Sequence, residues 1–140
     1  MKKIILVFIL TLFLVGCVNN NVKNTKEGLT INSTTSSIGK VDKTTDKQRF
    51  RYSITITNND KSDFEIISVK PILSNKFEKL TILDNHKLIL NKKILKGESL
   101  EINGEIIFKS SDLTKKEILD LEPFIKEFEI IEKRIIKKEM

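Results

Sequence analysis

Apolar and polar side chains alternate most cleanly over Arg49 to Thr57. Phe50, Tyr52, Ile54 and Ile56 fall on one face, and Arg49, Arg51, Ser53, Thr55 and Thr57 on the other. A period of two marks a half-buried strand, because successive side chains of an extended backbone point to opposite faces. Asn58-Asn59-Asp60-Lys61 then supplies turn-forming residues. Phe64 to Leu73 reads as the next strand. Its alternation slips between Ile66 and Ile67, which predicts a bulge. Pro71 has no N–H to give to a ladder and so predicts an edge or a strand end.

The pattern weakens over 74–96. Leu80-Thr81-Ile82, Leu88-Ile89-Leu90 and Ile94-Leu95 are short apolar patches, read here as short strands and turns. Gly97 opens a second strong alternation in which Leu100, Ile102, Ile106 and Phe108 share a face and Glu101, Asn103 and Glu105 lie opposite. Gly104 has the buried parity, and a glycine inside a strand predicts a bulge or a close contact. Thr114-Lys115-Lys116-Glu117 has the spacing of a capping box. It predicts a short helix through Ile118, Leu119 and Leu121 that stops near Pro123. Beyond it two patterns compete. Phe124, Phe128, Ile131 and Ile135 fit a helical stripe, whereas Phe124, Phe128 and Ile130 fit a strand over 124–132. The strand is favoured because the other strands need partners. Lys133 to Met140 reads as a frayed or solvated tail. The fold class is mainly β: an antiparallel β-sandwich with one short helix before its last strand.

The chain ahead of this region is patterned differently. Lys2 and Lys3 precede an apolar run from Ile4 to Val15 broken only by Thr11. A bilayer span needs about 20 apolar residues; this run has the length of a secretory signal's apolar region, about 7–15 residues. Residues 18–47 are rich in Asn, Thr, Ser, Lys and Gly and read as a flexible tether, with Leu29-Thr30-Ile31 and Ile38 to Val41 as candidate pieces of a first strand. Some 25–30 such residues would hold a domain roughly 30 Å from an anchor. The expected organisation is a signal peptide over 1–16, a modified cysteine and tether over 17–47, and a folded domain over 48–140.

Leu14-Val15-Gly16-Cys17 closes the apolar run and resembles the lipobox of bacterial lipoproteins at all four positions. The resemblance implies that the Cys17 thiol receives a diacylglyceryl group and that a signal peptidase recognises Leu14, Val15 and Gly16 and cuts before Cys17. Two acyl chains are what stable membrane attachment requires, since one gives only marginal binding. The domain itself resembles the immunoglobulin-like domains of small Gram-positive lipoproteins. Phe50-Arg51-Tyr52-Ser53-Ile54-Thr55-Ile56-Thr57-Asn58-Asn59 is similar to their opening strand and turn. Lys96-Gly97-Glu98-Ser99-Leu100, followed by Gly104-Glu105-Ile106-Ile107-Phe108, is similar to their glycine–acid turn and apolar strand. The Cys…Trp…Cys pattern of true immunoglobulin domains is absent, so the resemblance carries architecture only.

Composition adds limits. The 140 residues carry 39% hydrophobic and 31% charged side chains, no tryptophan and one tyrosine. This is one domain with a core of Phe, Ile and Leu. The net charge is +6, or about +4 once Lys2 and Lys3 are removed. Basic and acidic residues are interleaved, which suits a solvated surface and, beside an anchor, affinity for anionic headgroups or wall polymers. Nucleic acid is not expected of an exported chain whose basic residues are dispersed. Cys17 is the only cysteine, so the mature domain has no disulfide. The abundance of Lys, Asn and Ile is similar to that of low-GC Gram-positive proteins.

Candidate chemistry is sparse. His86 is the only histidine and has Asp84 two residues before it, but a metal site needs three or four convergent ligands. Gly97-Glu98-Ser99 lacks the G-x-S-x-G elbow of a nucleophilic serine and reads as a turn into a strand. The acidic pairs Asp60 with Asp63 and Glu127 with Glu129 read as solvated surface. No catalytic residue, cofactor or metal is therefore expected. The function this supports is a non-enzymatic lipoprotein at the extracytoplasmic face of the cell membrane, bound through Cys17, with a cell-envelope protein or anionic wall polymer as partner. The alternatives are a small surface hydrolase and a transporter's ligand-capturing component. The latter commonly uses two lobes, for which the 124 residues left after processing are few.

Overall fold

A computed structural model describes residues 28–43 and 46–137. The proposed signal peptide, Leu14 to Cys17 and the first part of the tether lie outside these residues.

The alternating stretch read from Arg49 to Thr57 is the middle of strand β2 (Lys47–Asn58). Its apolar face is buried, with Ile54 and Ile56 fully inaccessible. One neighbour is β1 (Leu29–Lys40); the other is β5 (Ser99–Lys109). Together they form an antiparallel sheet of order β1–β2–β5. The second antiparallel sheet has β3 (Asp63–Leu73) at its centre, between β4 (Leu88–Ile94) and β6 (Ile125–Ile135). Two short helices complete the described residues, α1 (Asn75–Glu78) and α2 (Lys115–Leu119).

The sheets share one core. Phe50, Tyr52, Ile54 and Ile56 from β2 and Ile102, Ile106 and Phe108 from β5 join Phe64, Ile66, Val69 and Leu73 from β3. Tyr52 meets Phe128 of the opposite sheet at 5.5 Å between ring centroids, and Phe50 stacks on Phe124 at 4.8 Å. Phe77 of α1 enters between the layers and meets Phe50, Phe108 and Phe124 edge-on at 5.1–5.5 Å.

Several local expectations are met for the stated reasons. The register of β3 shifts between Ile66 and Ser68 against both neighbours: against β6, Ile67 is the extra residue of a bulge, whereas against β4 the extra residue is on β4, where Leu90 and Asn91 lie opposite Ile67 alone. β3 is nevertheless a central strand. Pro71 is tolerated because pairing with β4 ends at Val69–Leu88, which leaves that side of Pro71 without a strand. The capping box forms at α2, where the Thr114 hydroxyl accepts from Glu117 N and the Glu117 carboxylate accepts from Thr114 N at 2.8 Å.

Other expectations are corrected. Residues 29–40, assigned to the tether, form a continuous twelve-residue strand, so the folded region begins well before 48. An edge strand largely open to solvent on both faces needs little apolar alternation, which is why Ser and Thr suffice. The stretch 74–96 is a helix followed by a single strand rather than several short strands. Ser74 caps α1, Thr81 makes only an isolated bridge to Phe108, and Leu88–Ile94 is unbroken. Among the described residues there are thus two short helices where one was expected after the tether. Asn91 takes a φ of 48°, a left-handed conformation that asparagine tolerates, and this disrupts the alternation of β4. Finally, β6 continues past 132. Its last residues pair with the start of β3, and Arg134 lies 5.4 Å over the Phe64 ring and 3.0 Å from Asp60.

Candidate functional site

The turns fix where the sequence-selected polar residues fall. Asn58 ends β2 and is fully buried. Its amide donates to Ser62 O at 2.8 Å and Ile94 O at 3.3 Å, while its Oδ1 accepts from Asp60 N at 3.0 Å. Its backbone is held by the next inter-sheet turn: Asn58 N donates to Glu98 O, and Gly97 N donates to Asn58 O, both at 2.9 Å. Gly97 adopts a φ of 78°, which favours glycine. Gly97-Glu98-Ser99 is thus a turn into β5, with the Ser99 hydroxyl 2.7 Å from that of Thr57.

Asp60 and Asp63 belong to the same end of the fold and act structurally there. Asp60 accepts from Ser62 N at 3.0 Å and pairs with Arg134. Asp63 accepts from Lys96 N at 3.2 Å and pairs with Lys93 at 3.2 Å and Lys137 at 3.5 Å. The Ser62 amide, with Arg134, holds Asp60 below the usual carboxylate range. The Lys96 amide, with Lys93, does the same for Asp63. Both carboxylates are therefore ionised partners in a charge network.

His86 is half-buried in the segment between α1 and β4. Burial lowers its pKa, opposed by the charges of Asp84 and Glu78. Glu127 and Glu129 are exposed on β6, opposite Ile72 and Lys70 of β3. Ser99 belongs to the β1–β2–β5 sheet, where its hydroxyl meets that of Thr57. Among the described residues no group of three or more His, Cys, Asp or Glu is gathered to hold a metal ion.

The polar groups that do converge come from three strands of one sheet. An open concavity of about 590 Å³ is bordered by Ser36, Arg51, Tyr52, Leu88, Asn103 and Glu105. Glu105 lies 3.3 Å from Arg49 and 3.9 Å from Arg51. The adjoining outer face is laced by side-chain hydrogen bonds. Ser33 donates to Thr55 at 3.0 Å, Ser53 donates to Glu101 at 3.1 Å, and Asn32 donates to Thr57. Hydroxyl, amide, guanidinium and carboxylate groups of this kind suit hydrogen bonding to a polar surface or polymer. Sequence reasoning did not select Arg51, Asn103 or Glu105 as a set. They come together only through the β2–β5 register, Arg51 opposite Glu105 and Ser53 opposite Asn103.

No protein-family model, curated protein or solved structure matches the chain. Among the described residues no helix is long and apolar enough to cross a membrane.

Proposed function

We propose that the chain is a lipoprotein of the extracytoplasmic face of a Gram-positive cell membrane. Its immunoglobulin-like β-sandwich serves as a non-catalytic binding or structural module. The observation that carries this reading is Leu14-Val15-Gly16-Cys17, which follows a charged start and an apolar run of secretory length. A diacylglyceryl group on Cys17 supplies the two chains that stable attachment needs. Two antiparallel sheets around one core support the sandwich reading. The binding reading draws on the hydrogen-bonding face of β1–β2–β5, which suits a cell-envelope protein or a wall polymer.

Fatty-acid labelling of the full chain tests the anchor. Label is expected on wild type and lost in Cys17→Ser; label retained by that variant refutes lipidation there. Crosslinking on intact cells tests the module, with envelope components expected among the products. A turnover activity that disappears in His86→Ala would instead make the chain an enzyme.

A further inference from the structure

We propose that the outer face of β2 and β5 binds an anionic polyol polymer, one whose hydroxyl-bearing units are joined by phosphodiesters. This ligand class rests on the reading of the domain as a binding module. Both strands are described along their whole length. Their outward positions form rows set by the ladder register. Lys47 faces Lys109, Arg49 faces Ile107, Arg51 faces Glu105, and Ser53 faces Asn103. Four cations thus share these rows with one carboxylate.

That carboxylate is claimed twice, since Glu105 lies 3.3 Å from Arg49 and 3.9 Å from Arg51. Lys47 and Lys109 are exposed and have no ion-pair partner among the described residues. Like charges set directly opposite one another destabilise a sheet. The fold therefore carries an excess of positive charge that adds nothing to its own stability. Local rules are broken in this way at functional surfaces.

Charge complementarity makes the occupant an anion, and the spacing makes it a polymer. Lys47, Arg49 and Arg51 recur at every second residue of β2, about 6.6 Å apart. A small anion engages one such position, whereas an extended polyanion engages all three. The planar guanidinium fork matches phosphate oxygens in pairs. Beyond the cations the same face turns neutral and polar. Thr35, Ser37 and Asn103 are exposed. Unlike those of Ser33 and Ser53, their side chains have no hydrogen-bond partner among the described residues. They border the concavity beside Arg51 and Glu105, where they suit the hydroxyls between the charges of a polyol. Three other anions are disfavoured. None of these outward positions is aromatic, so nucleic-acid bases have no platform to stack on. β2 is paired on both sides, so an acidic peptide finds no free ladder there. A bilayer surface is flat and does not enter a concavity.

The test is calorimetric titration of the full chain, in nonionic detergent, with synthetic poly(glycerol phosphate). Wild type is expected to bind, more weakly as salt rises. Arg49→Gln combined with Arg51→Gln should weaken binding about tenfold or more. Lys70→Gln combined with Lys133→Gln makes the same change of charge on the other sheet and should leave affinity unaltered. No binding by wild type, equal affinity in the arginine variant, or an equal loss in the Lys70 and Lys133 variant overturns the proposal. So does binding as tight to polyglutamate, which has carboxylates without hydroxyls, or binding of a Cys17→Ser chain as tight to phosphatidylglycerol vesicles. Should the arginine variant fail to fold, Lys47→Gln combined with Lys109→Gln replaces it. Removing two facing like charges should raise the melting temperature while weakening binding severalfold; a melting gain with unaltered affinity overturns the proposal. Envelope proteins crosslinked on intact cells, without polymer binding, would sink the ligand class and leave the binding-module reading standing.

Discussion

The ring of Tyr52 occupies the space that a side chain at Gly104 would need. The two residues are directly opposite in the β2–β5 ladder, and a Cβ built on Gly104 would fall 2.2 Å from Tyr52 Cζ. Tyr52 cannot swing away freely, because Phe50 and Phe128 flank it with ring centroids at 6.4 and 5.5 Å. Gly104→Ala is therefore expected to destabilise the fold by roughly 1–3 kcal/mol through overpacking. Tyr52→Leu in the same chain should recover part of that loss. Urea unfolding of the two single variants and the double variant measures the coupling, expected at about 0.5–3 kcal/mol for residues in contact. Simple additivity would show that the two positions do not compete for space.

The same burial sets the ionisation of Tyr52, which desolvation pushes up to about 12. The unfolded phenol titrates near its ordinary value of about 10. Between these values the unfolded chain has released a proton that the folded chain retains, so stability falls as pH rises through that window. Tyr52 is the only tyrosine, so tyrosinate absorbance reports this one group. It should appear near pH 12 while the protein is folded and near pH 10 in denaturant. Tyr52→Phe should remove this group's part of the alkaline destabilisation.

At the acid end Asp60 and Asp63 contribute to the response, together with Glu117 of the capping box, whose pKa the Thr114 amide also lowers. The folded pKa values of the two aspartates lie below the ordinary aspartate value, through the Ser62 and Lys96 amides first and the neighbouring cations second. Stabilisation of this sign is fully present above about pH 4 and is lost as pH falls through the depressed folded values. The melting temperature should decline on acidification below pH 4. The decline should be shallower in Asp60→Asn and Asp63→Asn, whose neutral-pH stability is already reduced. An unchanged acid profile in both variants would remove these carboxylates as its source.

Phe77 is the single buried residue of a helix of four. It is fully inaccessible and contacts rings from β2, β5 and the segment before β6. Phe77→Ala should cost about 3–5 kcal/mol, and Phe77→Leu much less because it keeps more of the volume. Equal denaturant midpoints for the two variants would contradict the packing role.

How legible an element was depended on whether its side chains met a core on one face only. β2 and β5 could be read directly because Phe50 to Ile56 and Ile102 to Phe108 alternate against exposed polar neighbours. The bulge at Ile67 and the cap at Thr114 were legible because each leaves a local mark. β1 was hard to read because Thr34 and Ser36 face an open groove rather than a packed layer. α1 was missed because only Phe77 of its four residues is buried. The end of β6 resembled a tail because Lys133 and Arg134 are charged, and the partners of Arg134, Asp60 and Phe64, are some seventy residues away. The converging groups of the concavity were illegible for a related reason: no single segment contains them, and only the ladder register sets Arg51 beside Glu105.

The pairing registers also orient the domain. Leu29 lies opposite Asn58 and Ile135 opposite Asp63, so the described chain enters and leaves at the pole formed by the Asn58–Asp63 turn. Lys40, Lys47, Lys109 and both helices belong to the other pole. If Cys17 is anchored as proposed, the helices and the exposed Leu119 belong to the pole opposite the one at which the described chain begins.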